Sequence, residues 1–263
     1  MHVNLSLAGG IRISGVRYIS VYEVIENTDT FLLIDKAPGT VFHRTSEQPG
    51  ILEILRTDLA TTDLFAVHRL DKMTSGPLLF AKKRATAREL ADQFQRRSVE
   101  KYYIALSDRK PTKKQGLVIG DMVRTRRGMW KLQTSKTHPT ITRFYSRSIQ
   151  PHLRLFIIRL YTGRTHQARV VLKSIGAPVL GDPLYYKESA THRGIDRGYL
   201  HSYALVFSLE GTKYQFLRVP DRGIHFTDES LRTVLREYGR PWELPWPDVT
   251  PQHRASKPFC GTF

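Results

Sequence analysis

The 263-residue chain is predicted to fold as an α+β domain, a mixed and mostly antiparallel sheet with helices and loops packed around it. Three observations predict this. Strand-like and helix-like runs alternate irregularly, without the steady βαβ rhythm of a parallel sheet. The runs at 203–209 and 213–219 flank Glu210-Gly211-Thr212, a hairpin signal. No GxGxxG or phosphate-loop motif is present, which disfavours doubly wound nucleotide-cofactor folds.

The elements follow in order. Residues 31–35 (FLLID) read as a buried strand that Lys36-Ala-Pro-Gly39 turns. Gly50 precedes a short amphipathic helix carrying Ile51, Leu52, Ile54 and Leu55. Residues 77–82 (PLLFAK) form a strand. Ala87, Leu90, Ala91 and Phe94 at i, i+3, i+4 and i+7 predict a helix over 86–95. Residues 102–106 are a short strand, and 107–138 are polar and basic, with loops and short strands. The runs 141–146 and 153–161 are neighbouring strands. A helix over 167–175 ends at Gly176. A last helix starts near Asp228, spaces Leu231, Val234, Leu235 and Tyr238 on one face, and stops at Gly239. The expected division is an N-terminal extension 1–20, a main domain 21–240 and a tail 241–263, whose Trp242, Trp246 and Phe259 either pack on the domain, the simpler reading, or form a partner site.

Composition narrows the function. Lys plus Arg is 41 against 24 Asp plus Glu, a net charge of +17. Residues 82–147 alone hold 18 Lys/Arg against 5 Asp/Glu. A solvated basic face is one reading of that block, and contact with a nucleic acid is the stronger one. The single cysteine, Cys260, excludes an intrachain disulfide framework and multi-cysteine metal sites. The ten histidines form no HExxH-like cluster, so no metal is implied. The first 20 residues lack an apolar core followed by a cleavage site, so a secretory signal is not expected. No apolar run approaches membrane-spanning length. One cysteine and no export signal point to a reducing interior, most simply the cytoplasm.

Three polar stretches interrupt the apolar pattern. His68-Arg-Leu-Asp71-Lys-Met-Thr-Ser-Gly76 places Asp71 on a turn beside a strand, where it is either a turn cap or a reactive carboxylate. Thr162-Gly-Arg-Thr-His-Gln-Ala-Arg169 enters a helix and offers Arg164, His166 and Arg169. His166 and Arg169, three apart, can share a face. Glu100-Lys-Tyr-Tyr103 opens a strand whose alternation sends Tyr102 and Tyr103 to opposite faces.

Together these stretches resemble the RluA-type pseudouridine synthases. The resemblance rests on His68-Arg-Leu-Asp71-x-x-Thr-Ser-Gly76, Lys101-x-Tyr103 and Gly163-Arg-Thr-His-Gln-x-Arg169. It continues through Gly176-x-Pro178-x-Leu180-Gly-Asp182-x-Leu184-Tyr185 and Leu200-His201, with Phe31-Leu-Leu-Ile-Asp-Lys36-x-Pro38-Gly39 upstream. It spans roughly 24–220. Ala37, Pro77 and Ser202 depart from the usual pattern without touching reactive groups.

The resemblance implies a pseudouridine-synthase fold and an isomerase. In the reaction, the N1–C1′ bond of a uridine in rRNA or tRNA breaks, the uracil turns, and C5 bonds to C1′. The reaction is redox-neutral, so no cofactor is implied. Asp71 is then the essential carboxylate, adding to C1′ or C6 or acting as a base. Arg169 faces and orients it. Tyr103 stacks on the uracil and serves proton transfer at C5. Arg69 holds the opened RNA once the target base is extruded. Lys101, Arg164 and His166 are the remaining RNA-contacting residues, with loop-holding as the competing role for His166. The family also implies a monomer, with target selection resting on the catalytic domain and its insertions. Two other classes compete: a catalytically idle RNA-binding factor that kept the fold, and an Asp/His hydrolase of small molecules. A hydrolase has no use for the basic block.

Overall fold

The computed structural model describes residues 20–187 and 195–246. Residues 1–19 of the expected extension 1–20, with Phe259 and Cys260, lie outside them.

A four-stranded antiparallel sheet has the order β1 (Tyr22–Asn27), β2 (Phe31–Lys36), β4 (Gly76–Ala81) and β3 (Phe65–Ala66). A six-stranded antiparallel sheet runs β12 (Thr212–Leu217), β11 (Leu200–Leu209), β5 (Glu100–Ser107), β10 (Leu153–Leu160), β9 (Thr140–Gln150), β6 (Gln115–Gly120). A separate ribbon pairs β7 (Met122–Arg124) with β8 (Trp130–Leu132). Four helices pack around the sheets: α1 (Ile51–Asp58), α2 (Arg84–Gln95), α3 (Gln167–Ser174) and α4 (Glu229–Tyr238). Among the described residues no helix is long and apolar enough to cross a membrane.

The unbroken apolar runs have a simple cause. Strands covered on both faces need no polar side. On β2, Leu32 and Ile34 enter the main core while Phe31 and Leu33 enter a second one under α2. β5 divides likewise: Tyr103 and Ala105 face the main core, Ile104 and Leu106 face the core under α4. Tyr102, as alternation requires, lies on the other side from Tyr103, beside Ala204 and Val206, where Trp242 and Trp246 cover it. The described part of the tail therefore packs on the domain, as expected.

The predicted hairpin has Glu210 (φ 51°) and Gly211 (φ 77°) both left-handed, the geometry of a two-residue turn that follows strand twist. Asp228 caps α4 by accepting from the Ser230 N–H. Pro77 is tolerated inside a sheet because β3 pairs only Ala81 and Phe80, leaving that side of Pro77 without a ladder partner. Two strands were not predicted. A bulge between Val24 and Glu26 breaks the alternation of β1, and β3 is only two residues long.

The two sheets join where the loop carrying Asp71 meets β4. Ser75 bridges His201 in parallel, and the Ser202 N–H donates to the Ser75 carbonyl at 2.7 Å. Gly76 is required there. Its φ is +110°, and a Cβ would stand 2.1 Å from the Ser202 carbonyl oxygen.

Candidate active site

Asp71 sits on the loop between β3 and β4, and the loop is pinned on both sides of it. Leu70 and Met73 are buried in the main core. The Lys72 carbonyl accepts from the Gly39 N–H at 2.7 Å. His68 Nε2 accepts from the Leu79 N–H at 2.9 Å while its ring stacks on Phe94. Between these anchors the Asp71 side chain keeps 24% of its surface exposed. The carboxylate is thus both fixed and reachable.

Arg169 projects from the first turn of α3 and is 4% exposed. Its Nη1 donates to Asp71 Oδ2 at 3.0 Å. Its other edge is held by Asp182, wholly buried, through Nε to Oδ2 at 2.7 Å and Nη2 to Oδ1 at 2.8 Å. Asp182 is itself set by the Leu184 and Tyr185 N–H groups. Burial works against the Arg169 charge, but the hydrogen bonds and proximity of the two carboxylates outweigh it and push its pKa up. A planar fork clamped on one side and free to donate on the other fixes the bearing of Asp71.

Tyr103 is buried beside the carboxylate. Burial first, then the Asp71 charge, push its phenol pKa up despite a bond with Ser202, so it stays protonated at neutral pH. Arg69 lies exposed, and its Nη2 donates to Thr165 Oγ1 at 2.8 Å, tying the Asp71 loop to the loop before α3. That second loop is organised by Gln167. Its Oε1 accepts from Thr162 Oγ1 and the Arg164 N–H, and its Nε2 donates to Thr142 Oγ1. The Arg164 backbone is thereby fixed, and its side chain is half-buried.

His166 begins α3 with φ 58°, and its Nε2 lies 4.0 Å from Asp71 Oδ1. Its Nδ1 bonds the Tyr185 hydroxyl at 3.0 Å. Burial pushes its pKa below the usual imidazole value, against the pull of Asp71. Both expected neighbours of the helix start, His166 and Arg169, thus face one carboxylate.

Lys101 needs correction. It was expected among the RNA-contacting residues, but its side chain is buried and its ammonium donates to the Thr162 carbonyl at 3.3 Å. Burial, then Arg97, lower its pKa to about 8. An exposed phosphate contact is not available to it, because the same strand alternation that turns Tyr103 inward turns Lys101 inward.

Three contributors escaped a sequence-based role. Asp182 and Tyr185 stand in an apolar stretch, 179–185, where a buried acid needs a cation. That was the available signal for Asp182. Lys36 is wholly buried behind the loop and donates to the Ala37, Thr40 and Lys72 carbonyls. Burial lowers its pKa to about 7.

The arrangement offers one accessible carboxylate, oriented by a buried guanidinium, with a neutral phenol at its side. Asp182 is engaged by Arg169 and is no second acid–base group, so paired-carboxylate hydrolysis has no geometry here.

Comparisons with known proteins show the family. A family model described as RNA pseudouridylate synthase matches residues 30–174, and the chain belongs to this family, whose members are isomerases acting on RNA. Its motifs are of the RluA type. A Haemophilus influenzae protein described as an uncharacterized RNA pseudouridine synthase is 43% identical over 216 residues, covering 82% of this chain and 95% of that one. The ribosomal large subunit pseudouridine synthase C of Pasteurella multocida is 31% identical over 204 residues, covering 70% of this chain and 60% of that one. The solved structure of human RNA pseudouridylate synthase domain containing 1 superimposes with a TM-score of 0.66 at 22% identity, covering 86% of this chain and 97% of that one. It supports the fold.

Proposed function

We propose that this isomerase converts specific uridines in structured RNA, rRNA or tRNA, to pseudouridine, with Asp71 as the essential carboxylate. The observation that carries this reading is the Asp71–Arg169 bond of 3.0 Å, backed by the buried Asp182 clamp. Arg169 orients Asp71. Tyr103 stacks on the uracil and, as a neutral phenol, handles the proton at C5. Arg69 leaves Thr165 and holds the RNA where the base has been extruded. Arg164 and the exposed cations of 82–147 meet phosphates, which sets affinity and salt dependence but not the target base. The name of the Pasteurella multocida relative favours a large-subunit rRNA target. The enzyme works as a cytoplasmic monomer, with residues 21–240 as its catalytic domain.

The test is pseudouridine mapping of total RNA from cells with and without the gene, complemented by wild type or Asp71→Ala. Loss of one or a few sites restored only by wild type is expected. Purified Asp71→Ala should make no product while binding RNA within a few-fold of wild type. A folded wild type that binds these RNAs and never isomerises them would instead be an idle RNA-binding factor.

A further inference from the structure

Ser202 departs from the family pattern, and the expectation that it stays clear of reactive groups needs correction. β11 pairs with β5 so that Ser202 stands directly opposite Tyr103. The register then shifts, and Ala204 stands opposite Tyr102. Tyr203 is the extra residue of this bulge. It turns to the core under α4, and Ala204 turns to the Tyr102 side, so both leave the face that Tyr103 occupies. Leu200 faces the main core together with Tyr103. Alternation places Ser202, two residues on, beside them. Directly opposite residues on one face of an antiparallel pair meet through their side chains.

Ser202 is 2% exposed. A hydroxyl buried to that degree needs a partner. It has one in Tyr103. Burial and then the Asp71 charge push the phenol pKa up, and the hydrogen bond with the Ser202 side chain pulls it down. A hydrogen bond that favours the ionised phenol is one donated to its oxygen. The Ser202 hydroxyl is therefore the donor, and the phenol oxygen accepts.

The backbone that carries this donor is pinned to the Asp71 loop. The Ser202 N–H donates to the Ser75 carbonyl at 2.7 Å, and the Ser75 N–H donates to the Leu200 carbonyl at 3.3 Å. The Ser75 hydroxyl accepts from Arg197 Nη2 at 2.7 Å and bonds His201 Nδ1 at 2.8 Å. Ser75 closes the loop that carries Asp71. One residue thus ties the phenol to the anchor of the carboxylate.

We infer that Ser202 is a positioning residue of this isomerase, whose hydroxyl donates to the Tyr103 phenol oxygen, sets the phenol in register with the Asp71 loop and stabilises negative charge on that oxygen. This deepens the uridine-isomerase reading above and rests on it. A phenol serves proton transfer best when its ionised form is within reach. Burial beside a carboxylate moves that form away, and the Ser202 donor offsets part of the effect. Alanine, the usual residue at this position, supplies no such donor.

The experiment uses the full chain and Ser202→Ala, each checked by thermal melting. In both backgrounds a fluorinated tyrosine of lower intrinsic pKa replaces Tyr103, and its fluorine NMR resonance is followed against pH without RNA. The titration midpoint should lie about one pH unit higher in Ser202→Ala, as for one lost hydrogen bond. With the natural tyrosine, pseudouridine formation is measured in single turnover on rRNA and tRNA from cells lacking the gene. The rate at saturating RNA should fall about tenfold in Ser202→Ala, the same free energy as the midpoint shift, while RNA affinity stays within about twofold. An unchanged midpoint overturns the hydrogen bond. A raised midpoint with a wild-type saturating rate, in an enzyme that does isomerise, overturns the positioning role. So does a loss that falls on RNA affinity and spares the saturating rate. A wild type that binds these RNAs and never isomerises them overturns the functional reading, while the midpoint, read without RNA, still decides the bond between Ser202 and Tyr103.

Discussion

Asp182→Asn isolates the support of Asp71, the carboxylate proposed as essential. In the wild type the buried Arg169 guanidinium has three bonds to carboxylates, two to Asp182 and one to Asp71. The substitution keeps the shape. Its amide oxygen can still accept from the Leu184 and Tyr185 N–H groups, but an NH₂ replaces the acceptor that Arg169 Nε requires. Removing one partner of a buried ion pair costs about 3–5 kcal/mol. Asp71 still faces the guanidinium, so the lower end, about 3 kcal/mol, is expected. At about 2–4 °C per kcal/mol for a chain of this size, the melting temperature should fall by about 6–12 °C. The released guanidinium no longer fixes Asp71, and an ångström of misplacement costs about a hundredfold in rate. Thermal or urea unfolding measures the first effect, and single-turnover pseudouridine formation measures the second. Arg169→Met combined with Asp182→Asn removes the stranded cation as well. It should recover about half of the lost stability and none of the activity. Wild-type melting and turnover in Asp182→Asn would refute the clamp. So would a double variant whose destabilisation is the plain sum of the two singles.

Other outcomes follow from the same geometry. Arg169→Met alone should reduce turnover at least a hundredfold by freeing Asp71, and near-wild-type rates would defeat the orienting role. Arg69→Ala should harm reaction on folded RNA by tenfold or more beyond its effect on an unstructured oligonucleotide, and equal losses on both would argue against a role in base displacement. The stability profile in acid should be set early by two histidines. His68 accepts a backbone N–H, and His201 is buried between Ser75 and the Arg218 carbonyl; burial lowers each to about 3. Their unfolded-state values are near 6.5, so the unfolded chain takes up the protons first. Stability is therefore full above about pH 6.5 and is lost as pH falls toward about 3, with a slope of at most two protons, about 3 kcal/mol per pH unit. Urea midpoints between pH 6.5 and 5, where carboxylates barely titrate, read this directly. A flat profile there would contradict it, and His201→Gln should halve the slope.

Much of the architecture was legible because its causes are local. The Glu210-Gly211 turn, the Asp228 cap, the stop at Gly176 and the i, i+3, i+4 stripe of α2 each depend on residues within one turn of each other, and each is where the sequence predicts it. Asp71, Tyr103 and Arg169 could be named because they stand in spaced motifs. Strand alternation separated Tyr103 from Tyr102. What the chain alone determined was therefore most of the elements, though not β1 or β3, the polarity of their faces, the basic segment and the candidate site side chains.

Tertiary structure decided what those side chains meet. Asp71 and Arg169 are 98 residues apart and touch only because α3 packs against the core on which the β3–β4 loop is pinned. Strand alternation turns Lys101 inward, and packing then buries it against the Thr162 loop, so a residue that reads as an RNA contact becomes a structural one. Asp182 and Tyr185 gain their roles from partners on other elements. A charge in an apolar segment announces that a partner exists, but which one it meets is settled by close packing of distant segments, a cooperative outcome that no local pattern encodes.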